Sequence, residues 1–341
     1  MGATFIAGCI FAVEVCVTAF ITPFYVDWDY EQYCDECKDI KVSTGNNSQK
    51  EAMLREKWGP VDRGTLRVDK PRTIVDRAGR IMVWILPEVL LPTFQAELHA
   101  ATKDLDAHIA SNLRNSINST SWRSSRKLFG EDTAYIRSGF INISPGWYMP
   151  GHSAKNDKPR ATPLLHTPSG ELFLQCAHKA FPIMSGITHI IHPEQYKMGR
   201  AIQESIKRRK CTSNTIRNWP SAQTALSIIS NRETPFHRDG LSRMSWYDML
   251  TSIGPYSKAP LYLSPLALRI DNRPGTICAF SGAAIRHRVR KCNLPRISFA
   301  WYMRENVREG ECIEPAGWMT QNRYQSGRYP SIYCCKGRTT Q

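Results

Sequence analysis

No period repeats along the 341 residues and no stretch is of low complexity, which argues against a repeat array and against a disordered chain. Alternation of strands and helices in βαβ order is missing too, so a Rossmann-type parallel sheet is not expected. Carboxylates are scarce beside cations: 30 Asp+Glu against 45 Lys+Arg, a net charge of +15. A field of that sign attracts polyanions, and nucleic acid is the first partner to consider. The 11 cysteines are odd in number and lack the dense spacing of a secreted disulfide scaffold, so reduced intracellular thiols are expected. Cys34 and Cys37 form a C-x-x-C, but no second pair follows at zinc-finger distance. A zinc site shared with Cys334-Cys335 near the far end stays open.

What is present begins with an apolar run from Ala3 to Val26, long enough to cross a bilayer. It has Glu14 at its centre, no Lys or Arg before it, and Asp27, Asp29 and Glu31 just after it, so it lacks the charged flank of a signal peptide and a positive side for orientation. A buried helix, a membrane anchor and a wrongly joined first exon all fit residues 1–30. Residues 31–70 are polar, with Gly45-Asn46-Asn47-Ser48 at the centre, and are expected to form a linker. A catalytic domain is expected over 71–320 and a tail over 321–341.

Within that domain, TIVDRAGRIMVWILP predicts a hairpin turning at Asp76-Arg77-Ala78-Gly79. Thr93 is a candidate N-cap, and Phe94, Leu98, Ala101, Leu105 and Ile109 follow helical spacing. Ala134 to Ser144 predicts a strand, and Pro193 to Lys210 a helix with Pro in its first turn and Lys207-Arg208-Arg209-Lys210 at its cationic end. From Thr224 the texture turns to short β-rich runs: TALSIIS, PLYLS, TICAF, AIRHRV and RISFAWYM. Gly/Pro turns separate them, and Ser245 to Ser252 is expected as a short helix. The pattern suits an α+β chain with a β-rich core, an antiparallel barrel or jelly roll with flanking helices.

At the end of the first of these runs stands His237-Arg238-Asp239. Residues i and i+2 of an extended segment share a side, so an imidazole and a carboxylate can face one ion. His287, fifty positions on, supplies a second imidazole. Two histidines and a carboxylate leave three positions open, the facial arrangement of non-haem iron(II) oxygenases; a structural zinc site would fill all four with protein ligands. Arg296 opens the run RISFAWYM, and its planar guanidinium suits a carboxylate. If the last strand lies beside the one bearing His287, Arg296 can grip the far carboxylate of 2-oxoglutarate.

The stretches HRDGLSRMSWYDMLTSIGPY, PGTICAFSGAAIRHRV and RISFAWYMRENV, with VDRAGRIMVWILP and INISPGWYMPGHS upstream, resemble the fungal branch of the TET/JBP 2-oxoglutarate and iron(II) dioxygenases. The resemblance covers residues 70–320. It implies a double-stranded β-helix, iron(II) on His237, Asp239 and His287, 2-oxoglutarate on Arg296, dioxygen as second cosubstrate, and a nuclear protein acting on DNA. Members oxidise the methyl group of a pyrimidine base, commonly 5-methylcytosine, after it is flipped from the duplex. One position departs: the branch has glycine after the distal histidine, where this chain has Arg288, a cation expected to narrow the site or reach a phosphate. Trp246 and Tyr247 are candidates to hold the base, with core packing as the alternative. Arg238, Arg243, Arg286, Arg288 and Arg290 cluster around the metal motifs, and the last three are expected on the face opposite His287, as a phosphate track or a solvated cationic face. The same chemistry on a protein or small molecule, and an inactive DNA-binding module, are the rival readings. No obligate protein partner is evident, and a membrane is a partner only through residues 3–26.

Overall fold

A computed structural model of the chain describes residues 3–38, 48–59, 66–149, 152, 157–208 and 219–326. The expected turn at Gly45-Asn46-Asn47, Arg209-Lys210 of the basic run, Cys334-Cys335 and the tail beyond Ser326 lie outside the described residues. In chain order the elements are α1 (Ala3–Ile21), β1 (Pro23–Tyr25), α2 (Tyr30–Cys37), α3 (Ser48–Lys57), β2 (Leu66–Val68), β3 (Arg72–Val75), β4 (Ile81–Leu86), α4 (Pro92–Lys103), α5 (Asp106–Asn115) and β5 (Gly139–Ile143). Then follow α6 (Pro168–Cys176), α7 (Ala180–Ile191), α8 (Pro193–Lys207), β6 (Ala225–Ser230), β7 (Thr234–His237), β8 (Asp248–Ile253), β9 (Leu261–Leu263), β10 (Leu268–Ile270), β11 (Ile277–Phe280), β12 (His287–Val289) and β13 (Ile297–Tyr302). Two short helices, Glu305–Gly310 and Gln321–Ser326, close the described chain.

The strands form two sheets. One has eight strands in the order β1-β3-β4-β11-β8-β13-β6-β5, the other five in the order β2-β10-β9-β12-β7. Pairing is antiparallel except at β1–β3 and β2–β10. The chain is therefore mixed, with α1 and α4–α7 packed against the large sheet and α2 and α3 against the core beside the small one. Strand β13 shows how the sequence divides the faces. Ile297, Phe299 and Trp301 alternate on one face and are buried, with Trp301 edge-on to Phe181 of α7 at 6.1 Å. Each such side chain contributes about 1.5–3 kcal/mol on burial. Ser298, Ala300 and Tyr302 take the other face and look into a cavity.

All five predicted β-rich runs are strands, and the hairpin over β3 and β4 turns through Gly79 at φ +77°, a left-handed conformation that favours glycine. Four local expectations change. Ser245 to Ser252 is not a helix: β8 begins at Asp248 and runs between β11 and β13, where both ladders satisfy its backbone. The helix expected from Thr93 starts at Pro92, with Leu91 and not Thr93 at the cap, and breaks at Asp104-Leu105 into α4 and α5, though Phe94, Leu98, Ala101, Leu105 and Ile109 are all buried as expected. The strand expected from Ala134 starts only at Gly139. His237 does not end the TALSIIS strand. Asn231, at φ +54°, lets the chain leave β6 in the large sheet and enter β7 in the small one.

The described residues before Lys70 pack onto the rest of the chain. Strand β1 extends the large sheet by pairing with β3. Helix α1 buries Ala12, Val15, Cys16 and Ala19 and exposes Ile6, Ile10, Val17 and Ile21; Thr4–Ile21 is long and apolar enough to cross a membrane. The expected linker carries α2 and α3. Its Tyr33 and Trp58 join Trp28 and Tyr30 in an aromatic cluster, which packs against the small sheet together with buried Cys34 and Cys37. In the expected tail, Tyr324 stacks on Phe20 with ring centroids 4.1 Å apart.

Candidate active site

The cavity between the two sheets has a volume of about 500 Å³. Its floor is the inner face of the large sheet. Register places Phe140, Ile229, Ser298 and Ser252 in one cross-strand row and Asn142, Ser227, Ala300 and Leu250 in the next. Small side chains at 227, 252, 298 and 300 leave the space open. Its opposite wall is the small sheet, from which His237, Leu261, His287 and Val289 project.

The structure brings His237, Asp239 and His287 together. β7 and β12 pair so that the two histidines stand directly opposite, and Asp239 follows two residues on, its N–H donating to the Gly282 carbonyl at 2.8 Å. Nε2 of His237 lies 3.4 Å from Asp239 Oδ1, and Nε2 of His287 lies 3.6 Å from Asp239 Oδ2. One donor atom from each of the three lies within 4.8 Å of the others, and they are the one such group among the described residues. Each histidine places Nδ1 2.9 Å from the carbonyl two residues before it, Pro235 and Ile285. A carbonyl only accepts, so Nδ1 carries the proton and Nε2 presents a lone pair to the shared point. Burial, and then His237, push the His287 imidazole down to about 3, so it is neutral as a metal ligand must be. Burial would raise the Asp239 carboxyl, but His237 and His287 whenever they are protonated, and the Arg123 guanidinium at all times, hold the group below the usual carboxylate range. Lone pairs on two imidazoles and one carboxylate, aimed at one point and fixed from behind, fit a divalent transition metal with open positions.

Arg296 lines the same cavity and is buried. It arrives differently from the expectation. Strand β13 does not lie beside β12; it belongs to the large sheet between β6 and β8, and Arg296, just before it, sits across the cavity from the small sheet. The guanidinium donates to the carbonyls of Arg232 (2.5 Å) and Arg290 (3.5 Å) and forms no ion pair with a carboxylate among the described residues. A buried cation held only by neutral carbonyls is suited to an anion from outside.

Sequence reasoning missed three residues here. Arg123, in an irregular Ser-rich segment without a motif, donates from Nη2 to Asp239 Oδ1 at 2.9 Å and stacks on Trp122, whose ring is 4.8 Å from that of His237. Arg232 is a second buried guanidinium on the cavity; burial, and then Arg123, bring it down to about 9. Asp248, at the start of β8, is buried beside Asp239. Burial, and then that neighbour, push its carboxyl up to about 8. Gly282 bridges the two: its N–H donates to Asp248 Oδ2 at 3.1 Å, and a Cβ there would stand 2.7 Å from that oxygen and 3.2 Å from Asp239 Oδ2.

Other candidates fall elsewhere. Trp246 and Tyr247 are buried in the core, bonded to the carbonyls of Ala316 and Ile81, and do not reach the cavity. Arg238 is buried behind the metal strand, pairing with Glu51 of α3 and Tyr33 of α2, and Arg243 pairs with Glu305. Arg288 points away from the cavity, its guanidinium 4.3 Å from the Phe236 ring, so it does not narrow the site.

No family model matches the chain, and no curated protein does. Among solved structures, NgTET1 in complex with 5mC DNA aligns over 89% of this chain and 91% of its own, at TM-score 0.51 and 11% identity. The chain shares the fold of that protein. At that identity the likeness extends to the fold alone. A full-length Neurospora crassa protein in complex with alpha-KG also matches, at 13% identity over 69% of this chain and 81% of its own, with TM-score 0.30. A putative 2OG-Fe(II) oxygenase family protein from Caulobacter crescentus matches at 13% identity over 68% and 84%, with TM-score 0.29.

Proposed function

We propose that this protein is an iron(II)- and 2-oxoglutarate-dependent dioxygenase that hydroxylates the methyl group of a modified pyrimidine base in DNA, with nuclear localisation part of the same reading. The observation that carries it is the convergence of His237 Nε2, His287 Nε2 and the Asp239 carboxylate in a cavity that also holds the buried, carboxylate-free Arg296. We read the two sheets as the halves of a double-stranded β-helix with the site between them. The metal, when bound, supplies the activation of dioxygen, coupled to decarboxylation of 2-oxoglutarate.

The chain's own residues do the rest. The Pro235 and Ile285 carbonyls fix the tautomer and tilt of the two histidines. Arg123 holds one oxygen of Asp239 and so orients the third ligand. Arg296 would take the far carboxylate of 2-oxoglutarate in a charge-assisted contact at a buried position, where such contacts are stronger than in water. A volume of about 500 Å³ falls within the usual range for small-ligand sites, with room for a cosubstrate and one extruded base. DNA as substrate is supported by the net charge of +15, by the family resemblance of the motif stretches, and by the fold shared with a protein solved on 5mC DNA.

The test is to incubate the full chain with methylated DNA, iron(II), 2-oxoglutarate and air, and count modified nucleosides by mass spectrometry. A His237→Ala/Asp239→Ala variant serves as blank. The reading predicts 5-hydroxymethylcytosine in the sample and none in the blank. Succinate without modified base would remove methylcytosine as the substrate; neither product would overturn the enzyme reading.

A further inference from the structure

The strand that turns His287 into the cavity turns Arg286, Arg288 and Arg290 to the other side of the small sheet, away from the metal ligands. There they are stacked in alternation with two aromatic rings. The Arg286 guanidinium carbon is 5.2 Å from the centroid of Phe236, Arg288 is 4.3 Å from Phe236 and 4.9 Å from Tyr262, and Arg290 is 5.4 Å from Tyr262. Register adds a fourth cation, since Tyr262 of β9 stands opposite Arg288 on one side and Arg269 of β10 on the other.

None of these four arginines has a carboxylate partner within ion-pair distance among the described residues. The Nε atoms of Arg269 and Arg288 have no hydrogen-bond acceptor. Glu51, the carboxylate that acts on Arg286, is already bonded to Arg238 at 2.8 Å. Three like charges sharing two rings repel one another. Attraction of each guanidinium to a ring face offsets part of this, about 0.5–2 kcal/mol per contact. The arrangement fixes the cations at intervals of about 6.7 Å along β12, two residues of extended chain. That interval is close to the spacing of successive phosphates along an extended nucleic-acid strand.

We infer that this outer face of the small sheet is a second nucleic-acid-binding surface, separate from the cavity, which grips the phosphates of one strand through Arg286, Arg288 and Arg290, with Arg269 beside them. Phosphate contacts carry affinity and position but no sequence information, so the surface holds DNA irrespective of the base to be modified. The inference does not depend on the catalytic reading, because the metal ligands lie on the opposite face.

The test measures binding of the full chain to unmethylated DNA, single-stranded and duplex, by fluorescence anisotropy across a salt series. It compares wild type, Arg286→Gln/Arg288→Gln/Arg290→Gln, the same three positions changed to Lys, and Lys179→Gln/Arg273→Gln/Arg323→Gln, which removes as many exposed cations elsewhere. Expected is a loss of at least about tenfold in affinity for the Gln variant and a decrease of about two to three in the slope of log K against log salt. The Lys variant should regain the slope and only part of the affinity, since charge returns without the planar stack. The variant that loses three cations elsewhere should bind nearly as wild type does. A circular-dichroism spectrum and urea midpoint equal to wild type verify that the Gln variant is folded. Wild-type affinity and slope in the Gln variant would overturn the inference. Equal losses toward poly-glutamate or toward phosphatidylserine vesicles would also overturn it, by showing a surface for acidic protein or membrane.

Discussion

The two sheets are built by different rules. The large one packs the alternating Ile297, Phe299 and Trp301 against its helices and meets the cavity with small residues such as Ser298 and Ala300. The small one carries the candidate metal ligands His237 and His287 on its inner face, beside buried leucines and isoleucines, and stacked arginines on its outer face. On the proposed reading the packed face of the large sheet serves stability while the candidate ligands of the small sheet serve chemistry, so substitutions at those two places should have separable effects.

The largest effect should come from the small sheet. His237→Ala is expected to abolish product formation while leaving stability within about 1 kcal/mol, measured by nucleoside mass spectrometry beside urea denaturation. In the large sheet, Trp301→Ala should remove about 3–5 kcal/mol of stability through the cavity it leaves, yet the fraction still folded should bind metal as wild type does. A parallel loss of metal affinity would break the separation.

Acid should act on the helix side as well. Nδ1 of His192 caps α8 by accepting from the Gln195 N–H at 3.3 Å, and burial pulls its imidazole from 6.5 down to about 4. Between those two values the unfolded chain holds a proton that the folded chain does not. Stability should therefore fall as pH drops from about 6.5 to about 4, by up to about 3 kcal/mol, and this term should be constant above pH 6.5. Denaturation at pH 7 and pH 4.5 measures it. His192→Asn, which keeps a capping acceptor, should flatten the profile.

Across the cavity, Arg296→Ala should weaken 2-oxoglutarate binding by about 10–100-fold with iron(II) binding intact, as titration calorimetry would resolve. The smallest effect is expected at Arg288. Because its side chain leaves the cavity, Arg288→Gly should leave iron(II) and 2-oxoglutarate affinity unchanged, and a rise in either would contradict its placement.

How far the sequence discloses this depends on range. His237 and Asp239 are two residues apart and His287 sits in a β-rich run, so local spacing was enough to suggest the triad that the fold then gathers. Arg296 was legible as a residue but not in its setting, because nothing local shows that Asn231 moves the chain from one sheet to the other. Arg123 was invisible: it meets Asp239 across 116 positions from an irregular segment. Asp248 was hidden by a segment whose local pattern suited a helix, until two neighbouring strands enclosed it. The aromatic residues that bring the expected linker into the fold, Trp28, Tyr33 and Trp58, are too far apart in sequence to show a period.

The central claim is tested most directly by anaerobic equilibrium dialysis of iron(II) against the full chain and its Asp239→Ala variant. The account predicts one ion per wild-type chain and loss of that ion from the variant, with both proteins folded. Equal binding by the two would contradict it and place any bound metal away from His237, Asp239 and His287.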